Sequence, residues 1–260
     1  MDAIIAAGGV PLPDEPLYPL TQGKPKALLE IEGKPMIQWV LDALNGSQQI
    51  EHIVIIGLDG SSGLKTDKSL VYVPDQGSMV SNLKAGMLAV REINPESGKI
   101  LAVSSDIPSI TTEMVDWLIK TVLETDDDAY YCVIPREVME TRYPGSKRSY
   151  THLKDMQVCG GDMNAIDIRL IDHEEDIWER LTDARKNVVK QAALIGFSTL
   201  FLLLVRQATI SSTVKRVSKK LGLKGRAIIS PYAEMGMDVD KPHQLELVQA
   251  DLHKRILPGS

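Results

Sequence analysis

At 260 residues, 43% hydrophobic and 25% charged, the chain has the composition of an ordinary soluble globular protein and is long enough for one large α/β domain. Its net charge of −6 gives no general attraction to nucleic acid or to an anionic membrane. Cys132 and Cys159, with no basic–apolar leader ahead of the first strand, read as free buried thiols in a reducing cytoplasm.

Residues 2–7 (DAIIAA) form a short apolar run that breaks at Gly8-Gly9, the pattern of a buried strand turning sharply into a loop. Glycines at such a turn let backbone N–H groups come close to an anion. A tight structural turn is the competing reading, since neither of the two common phosphate fingerprints is present: no G-x-G-x-x-G follows the strand, and Gly23-Lys24 is followed by Pro25 where a P-loop needs Ser or Thr. Residues 10–23 contain no Arg or Lys, and Lys24 and Lys26 then flank Pro25.

Apolar residues at 36, 37, 40, 41 and 44 mark one face of a helix that Asn45-Gly46 closes. Residues 53–57 and 69–73 read as further strands, 79–90 as a helix and 100–106 as a strand. Strands alternating with helices imply a mostly parallel sheet with right-handed crossovers, which binds ligands beyond the carboxyl ends of its strands. Asp106 and the Gly8-Gly9 turn are thereby expected on one rim. A helix over 114–123 and a strand over 129–134 flank Asp126-Asp127-Asp128, which reads as a helix-end cap on the solvated side.

From 136 to 155 the pattern loosens and turns basic, with Arg142, Lys147, Arg148 and Lys154 around Pro144-Gly145. This is either a solvated loop or a grip on an acidic second substrate. Residues 159–164 (CGGDMN) make a tight turn into a strand over 165–171, and 174–222 carry a helical pattern, expected to form a small lobe. Within it, residues 192–205 are an uncharged, largely apolar run of 14, too short to span a bilayer, and read as a buried core helix, with peripheral membrane or partner contact the minor reading. A strand over 227–229 and a helix from 242 or 243 to about 253 end the pattern. No repeat or flexible linker divides the chain, so 1–260 is read as a single domain.

Two aspartates stand just before prolines, in Asp106-Ile107-Pro108 and Asp238-Val239-Asp240-Lys241-Pro242. Singly, each would be a helix N-cap. Paired with a phosphate-binding turn, they could hold the Mg2+ that accompanies a nucleoside triphosphate, an ion bound through one or two carboxylates, phosphate oxygens and water. The five histidines show no metal-binding spacing.

In order along the chain, Ala6-Ala7-Gly8-Gly9, Pro25-Lys26-Ala27-Leu28, Gly33-Lys34-Pro35-Met36, Asp106-x-Pro108 and Asp238-Val239-Asp240-x-Pro242 resemble the motifs of MobA-like nucleotidyltransferases. The resemblance implies a Rossmann-like, GT-A-type fold, a mixed central sheet with helices on both faces. It implies an enzyme transferring NMP from an NTP to a sugar, alcohol or cofactor phosphate, with release of pyrophosphate. Carried over, it implies catalytic roles for Lys26, Asp106 and Asp240. Ala6, Ala7, Gly8, Gly9, Lys24 and Lys26 are implied at the nucleotide phosphates, and Gly77, Ser78 and Asn82 at the base. Mg2+ falls to Asp106 and Asp240, with Asp238 as the alternative ligand. The acceptor falls to Arg142, Lys147, Arg148, Lys154 and Gly161. Such proteins usually carry an arginine in the first loop, which this chain lacks. Two alternatives remain: a GT-A glycosyltransferase using Asp238-Val239-Asp240, and a non-catalytic nucleotide-binding relative. Neither nucleic-acid binding nor stable membrane insertion is expected, and self-association is left open.

Overall fold

Alternating apolar runs and helical faces build a nine-stranded mixed sheet covered by helices on both sides. The computed structural model describes residues 1–172, 178, 199, 202–203 and 205–257. β1 (Asp2–Ala6) leads through the short α1 (Tyr18–Thr21) and a 3-10 turn at Lys26–Leu28 to a hairpin of β2 (Glu30–Ile31) and β3 (Lys34–Pro35). α2 (Met36–Gly46), β4 (His52–Ile56), β5 (Ser69–Val73), α3 (Met79–Ile93), β6 (Lys99–Ser104) and α4 (Thr112–Leu123) follow. Then come β7 (Ala129–Pro135), α5 (Arg136–Arg142), β8 (Thr151–His152), β9 (Gln157–Gly160) and β10 (Met163–Asp167). After these stand α6 (Ile210–Leu221), β11 (Gly225–Ile229) and α7 (Pro242–Ile256).

The strand order is β5-β4-β1-β6-β10-β7-β9-β8, with β11 on the other edge of β7. β1 pairs in parallel with β4 and β6, and β10 runs antiparallel between β6 and β7. Alternation along β1 decides which helix each side chain meets. Ala3 and Ile5 enter a core with Ile37 and Leu41 of α2 and Val115 and Leu118 of α4. Ile4 points the other way, into a core with Met87 and Val90 of α3. A third core gathers Ile134, Met139, Cys159 and Val248 beneath α5 and α7.

Between β9 and β10 the chain breaks its pairing, and the break has a function. β9 pairs with the second half of β7 through Val133–Gly160, whereas β10 pairs with the start of β7 and all along β6. Gly161 and Asp162 make the crossing, with Gly161 N donating to Cys132 O and Ser104 N donating to Asp162 O, each at 2.8 Å. Asp162 therefore arrives at the carboxyl end of β6.

Three expectations change. The loosened stretch after 135 contains α5, whose Met139 is fully buried. The triple aspartate does not cap α4, whose last residue is Leu123 and whose C-cap is Glu124. Asp126 pairs with Arg169 at 2.8 Å, Asp127 with Arg226 at 2.5 Å, and Asp128 accepts from Lys224 N at 2.7 Å, so the three tie strand ends together. The strand expected over 165–171 stops at Asp167 and gives way to a 3-10 turn. Of the helical lobe expected over 174–222, α6 is described; most of the rest, including most of the run 192–205, lies outside the described residues. Among the described residues no helix is long and apolar enough to cross a membrane.

Candidate active site

Ala7 N donates to Ile56 O at 2.8 Å, and the chain then turns at Gly8 and Gly9. The turn lies backbone to backbone against Gly57, whose φ is +93°; a Cβ there would stand 2.2 Å from Gly8 Cα. Glycine is required at that approach. Lys26 N donates to Gly9 O at 2.8 Å, which fixes the Lys26 turn beside the glycines. Ala6, Gly8, Gly9, Lys26, Gly77, Ser78, Asn82 and Asp106 line one cavity of about 320 Å³. Ala7 is buried behind it, and Lys24 is exposed on the loop and does not line it. Two other hollows, of about 570 and 550 Å³, lie around Trp117 and Arg142, and neither contains Lys26 or Asp106.

Asn82 braces the far wall. Its Nδ2 donates to Asp75 Oδ1 at 2.7 Å and its Oδ1 accepts from Gln76 N at 2.6 Å, while Ser78 Oγ caps α3 by accepting from Ser81 N at 3.0 Å. Asp75 lines the cavity too, although the sequence pattern did not single it out.

At the mouth, four carboxylates meet two cations. Lys26 Nζ stands 2.6 Å from Asp106 Oδ2 and 2.6 Å from Asp240 Oδ1. Burial alone would lower the Lys26 pKa, but the charges of Asp106 and Asp240 outweigh it and hold the ammonium above the ordinary lysine range. Burial opposes ionisation of Asp240 as well, yet Lys26 brings its pKa below the usual carboxylate value. Neither aspartate acts as a helix cap: α4 starts behind Thr111, and α7 behind Lys241 without a side-chain cap. Val239 N donates to Asp106 O at 2.9 Å, stitching the two aspartate segments together.

The second cation is Arg148, hydrogen-bonded to Asp238 and 3.7 Å from Asp162. Burial pushes Asp238 up to about 6 even with Arg148 beside it. Asp162 is raised to about 7, first by burial and then by the charges of Asp106 and Asp238. Asp162 is a site residue that the sequence reading passed over. The Gly160-Gly161-Asp162 turn was visible, but the strand pairing that carries it to β6 was not.

The basic residues of 142–154 do not act as one group. Arg148 joins the aspartates, whereas Arg142 pairs with Glu234 at 2.7 Å and with Asp251, bridging α5 to α7. Its guanidinium is held by two buried carboxylates outside the Lys26 cavity. Lys147 and Lys154 are exposed and have no carboxylate partner among the described residues. Gly161 is buried, and a Cβ on it would come within 2.9 Å of Cys132 Cβ, so packing requires the glycine.

Whether this site fits a hard divalent cation can be judged from its unpaired oxygens. Asp106 Oδ1 is buried without a hydrogen-bond partner among the described residues, and Asp162 Oδ2 has none either, with the Arg148 guanidinium 3.7 Å away. Buried anionic oxygens are costly unless a cation meets them, and an all-carboxylate set is the donor chemistry Mg2+ takes. The residues present therefore fit such an ion. Among the described residues, the one set of three acidic or histidine side chains whose ligand atoms already lie within 4.8 Å of one another is Asp2, Glu51 and His52, where Asp2 is held by His52 Nδ1 at 2.7 Å and Asn94 Nδ2 at 2.9 Å.

The profile of the MobA-like NTP transferase domain matches residues 20–218. A hypothetical transferase from Thermus thermophilus has the same fold, with a TM-score of 0.80 and 29% identity over 94% of this chain and 98% of that one. A probable molybdenum cofactor guanylyltransferase of Pyrococcus horikoshii is 26% identical over 114 residues, 44% of this chain and 55% of that protein. The bifunctional protein GlmU of Thermoanaerobacter pseudethanolicus is 33% identical over 95 residues, 36% of this chain and 21% of that protein. These alignments span about half, or less, of the curated relatives' own length.

Proposed function

The chain belongs to the MobA-like NTP transferase domain family, and from that premise we propose that it transfers a nucleoside monophosphate from an NTP to a phosphorylated acceptor, releasing pyrophosphate. The observation that carries the reading is Lys26, bound to both Asp106 and Asp240 at the mouth of the glycine-lined cavity. Asp106 and Asp240 would hold Mg2+, with Asp238 and Asp162 close behind. Bound there, the ion supplies positive charge to the α-phosphoryl oxygens as negative charge builds on them.

The protein's own groups do the rest. Backbone at Gly8 and Gly9 accommodates the triphosphate without side-chain interference, while Gly77, Ser78 and the Asn82-braced turn form the wall toward the nucleoside. Among the described residues lining the cavity Lys26 is the one cation, and it takes the role at the phosphates that a first-loop arginine would otherwise share. Arg148, paired with Asp238 and 3.7 Å from Asp162, is the cation we assign to an acceptor phosphate. That phosphate is already ionised near neutrality, so it attacks in line without a dedicated general base. Of the wider acceptor set, Lys147 and Lys154 remain exposed candidates at the rim.

Asp238 and Asp240 turn to different partners, Arg148 and Lys26 respectively. The test is pyrophosphate release from ATP, CTP, GTP and UTP against a panel of sugar, polyol and cofactor phosphates. Activity with one donor, falling by ~10³-fold in Asp106→Asn, is the expected result; hydrolysis or glycosyl transfer without pyrophosphate would overturn the reading.

A further inference from the structure

Along β7, Tyr130 and Cys132 face the core at 2% and 0% exposure, and alternation turns Tyr131 between them to the other face of the sheet, where it is 55% exposed. Its ring belongs to none of the three cores.

The ring nevertheless has a defined seat. β9 pairs Gly160 with Val133, the next residue along β7 on the face of Tyr131, and a Cβ built on Gly160 would stand 2.3 Å from Tyr131 Oη. Gly160 is not among the glycines with positive φ. Its backbone conformation therefore does not demand a glycine, whereas the close approach of the phenol does. The hydroxyl rests on bare backbone at the last residue of β9, one glycine ahead of Asp162.

That seat lies on the side of the site where Arg148 and Asp162 meet. Burial and then the charge of Asp162 raise the phenol's pKa, with Arg148 acting against them, so both groups are within electrostatic reach of the hydroxyl. The phenols of Tyr130, Tyr143 and Tyr150 each donate to an oxygen of the chain. Tyr131 Oη makes no hydrogen bond among the described residues, with Asp162 or with any other. An O–H donor, exposed and unspent, thus stands beside a cation.

Taking Arg148 as the acceptor-side cation, and so resting on the function proposed above, we propose that Tyr131 is a second acceptor-binding residue. Its phenol donates a hydrogen bond to the acceptor's phosphate, and its exposed ring underlies the carbon skeleton that carries that phosphate. An aromatic body with a polar tip suits a sugar or polyol phosphate, whose carbons meet the ring and whose anion meets the hydroxyl. As a neutral donor, the phenol adds hold on the anion without pairing off Asp162, as a lysine in its place would do.

Steady-state kinetics of pyrophosphate release in Tyr131→Phe, and separately in Gly160→Ala, test this. Phenylalanine keeps the ring and removes the oxygen, whereas a methyl group on residue 160 drives the phenol off its seat. Each substitution raises the acceptor KM about tenfold, the worth of one hydrogen bond to a charged group. The NTP KM and the thermal shift given by Mg·NTP stay unchanged. Without ligands Tyr131→Phe melts with the wild type, because the hydroxyl has no partner in the chain. An unchanged acceptor KM in Tyr131→Phe overturns the proposal, as does a rise falling equally on NTP and acceptor. A lowered melting temperature with intact KM also overturns it, and makes the hydroxyl a structural support. Wild-type protein that releases no pyrophosphate with any NTP and acceptor would remove the proposed function and Tyr131's part in it together; an active Tyr131→Phe with wild-type acceptor KM would take Tyr131 alone out of the site.

Discussion

Lys26 keeps two carboxylates together that would otherwise repel, because its ammonium lies within hydrogen-bond reach of both. It stands where a divalent ion shared by Asp106 and Asp240 would stand, so under the proposed function the lysine and the metal would compete for the same carboxylate oxygens. Lys26→Met should therefore bind Mn2+ alone at least ~10-fold more tightly than the wild type by EPR, since removing one partner leaves buried charge seeking a cation. The same variant should lose affinity for Mg·NTP; a parallel loss for both ligands would contradict the account. Asp162 supplies a pH test. Its raised pKa means that the stability it contributes is complete below about 4 and is lost as pH rises through about 7. In chelated protein, the stability advantage of Asp162→Asn over wild type should open between those limits and then level off, and a gap independent of pH would refute the assignment. Asp106 and Asp240 could be singled out in the sequence because an Asp two residues ahead of a Pro is a local pattern, although Asp240 follows a 3-10 turn at Ala233–Gly236 and not the strand end expected. Asp162 could not be, because its place depends on which strand each neighbour pairs with.

At the scale of elements, the outer helices are held by charge as well as by packing. Arg142 on α5 meets Glu234 and Asp251, and Arg255 of α7 closes the group with a 2.8 Å contact to Asp251. Both carboxylates are under 10% exposed, while Arg142 is 40% exposed. Arg142→Ala leaves Glu234 and Asp251 sharing Arg255 and should cost about 2 kcal/mol in urea unfolding, below the full penalty for a buried pair because Arg255 remains and solvent reaches Arg142. Its acceptor KM should not change; a KM effect with unaltered stability would place Arg142 in the binding set. The parallel half of the sheet could be read from apolar runs and helical faces, each encoded over a few consecutive residues. α5 could not, since seven residues of mixed charge show little periodicity and owe their helix to Val138, Met139 and Tyr143 packing on a core assembled from distant segments. The broken β9–β10 ribbon is a matter of register across three strands, which no single strand records.

For the molecule as a whole, burial and charge make different demands. Cys132 and Cys159 are free and buried, and burial pushes the Cys132 thiol up to about 12. Neither should react with Ellman's reagent in the native state, and both should react at the rate of global unfolding; fast labelling of the folded protein would show the core to be more open than described. Net charge was the least informative number in the sequence: a total of −6 hides the concentration of basic residues between 180 and 226. The family could be recognised from five short motifs in order, because each is encoded over a few consecutive residues. The basic stretch 142–154 could not be resolved from sequence, because its members meet unrelated partners, Arg148 beside Asp238 and Asp162 and Arg142 between Glu234 and Asp251.

The central claim is that Asp106 and Asp240 hold a metal ion against a nucleotide in the glycine-lined cavity. Thermal unfolding with each of the four NTPs, with and without Mg2+, in wild type and Asp240→Asn, tests it most directly. The account predicts that one NTP stabilises the wild type, by about 2.7 kcal/mol at a hundredfold excess over Kd, only with Mg2+ present and not in the variant. Stabilisation that ignores Mg2+ and survives in Asp240→Asn, or none with any NTP, would contradict it.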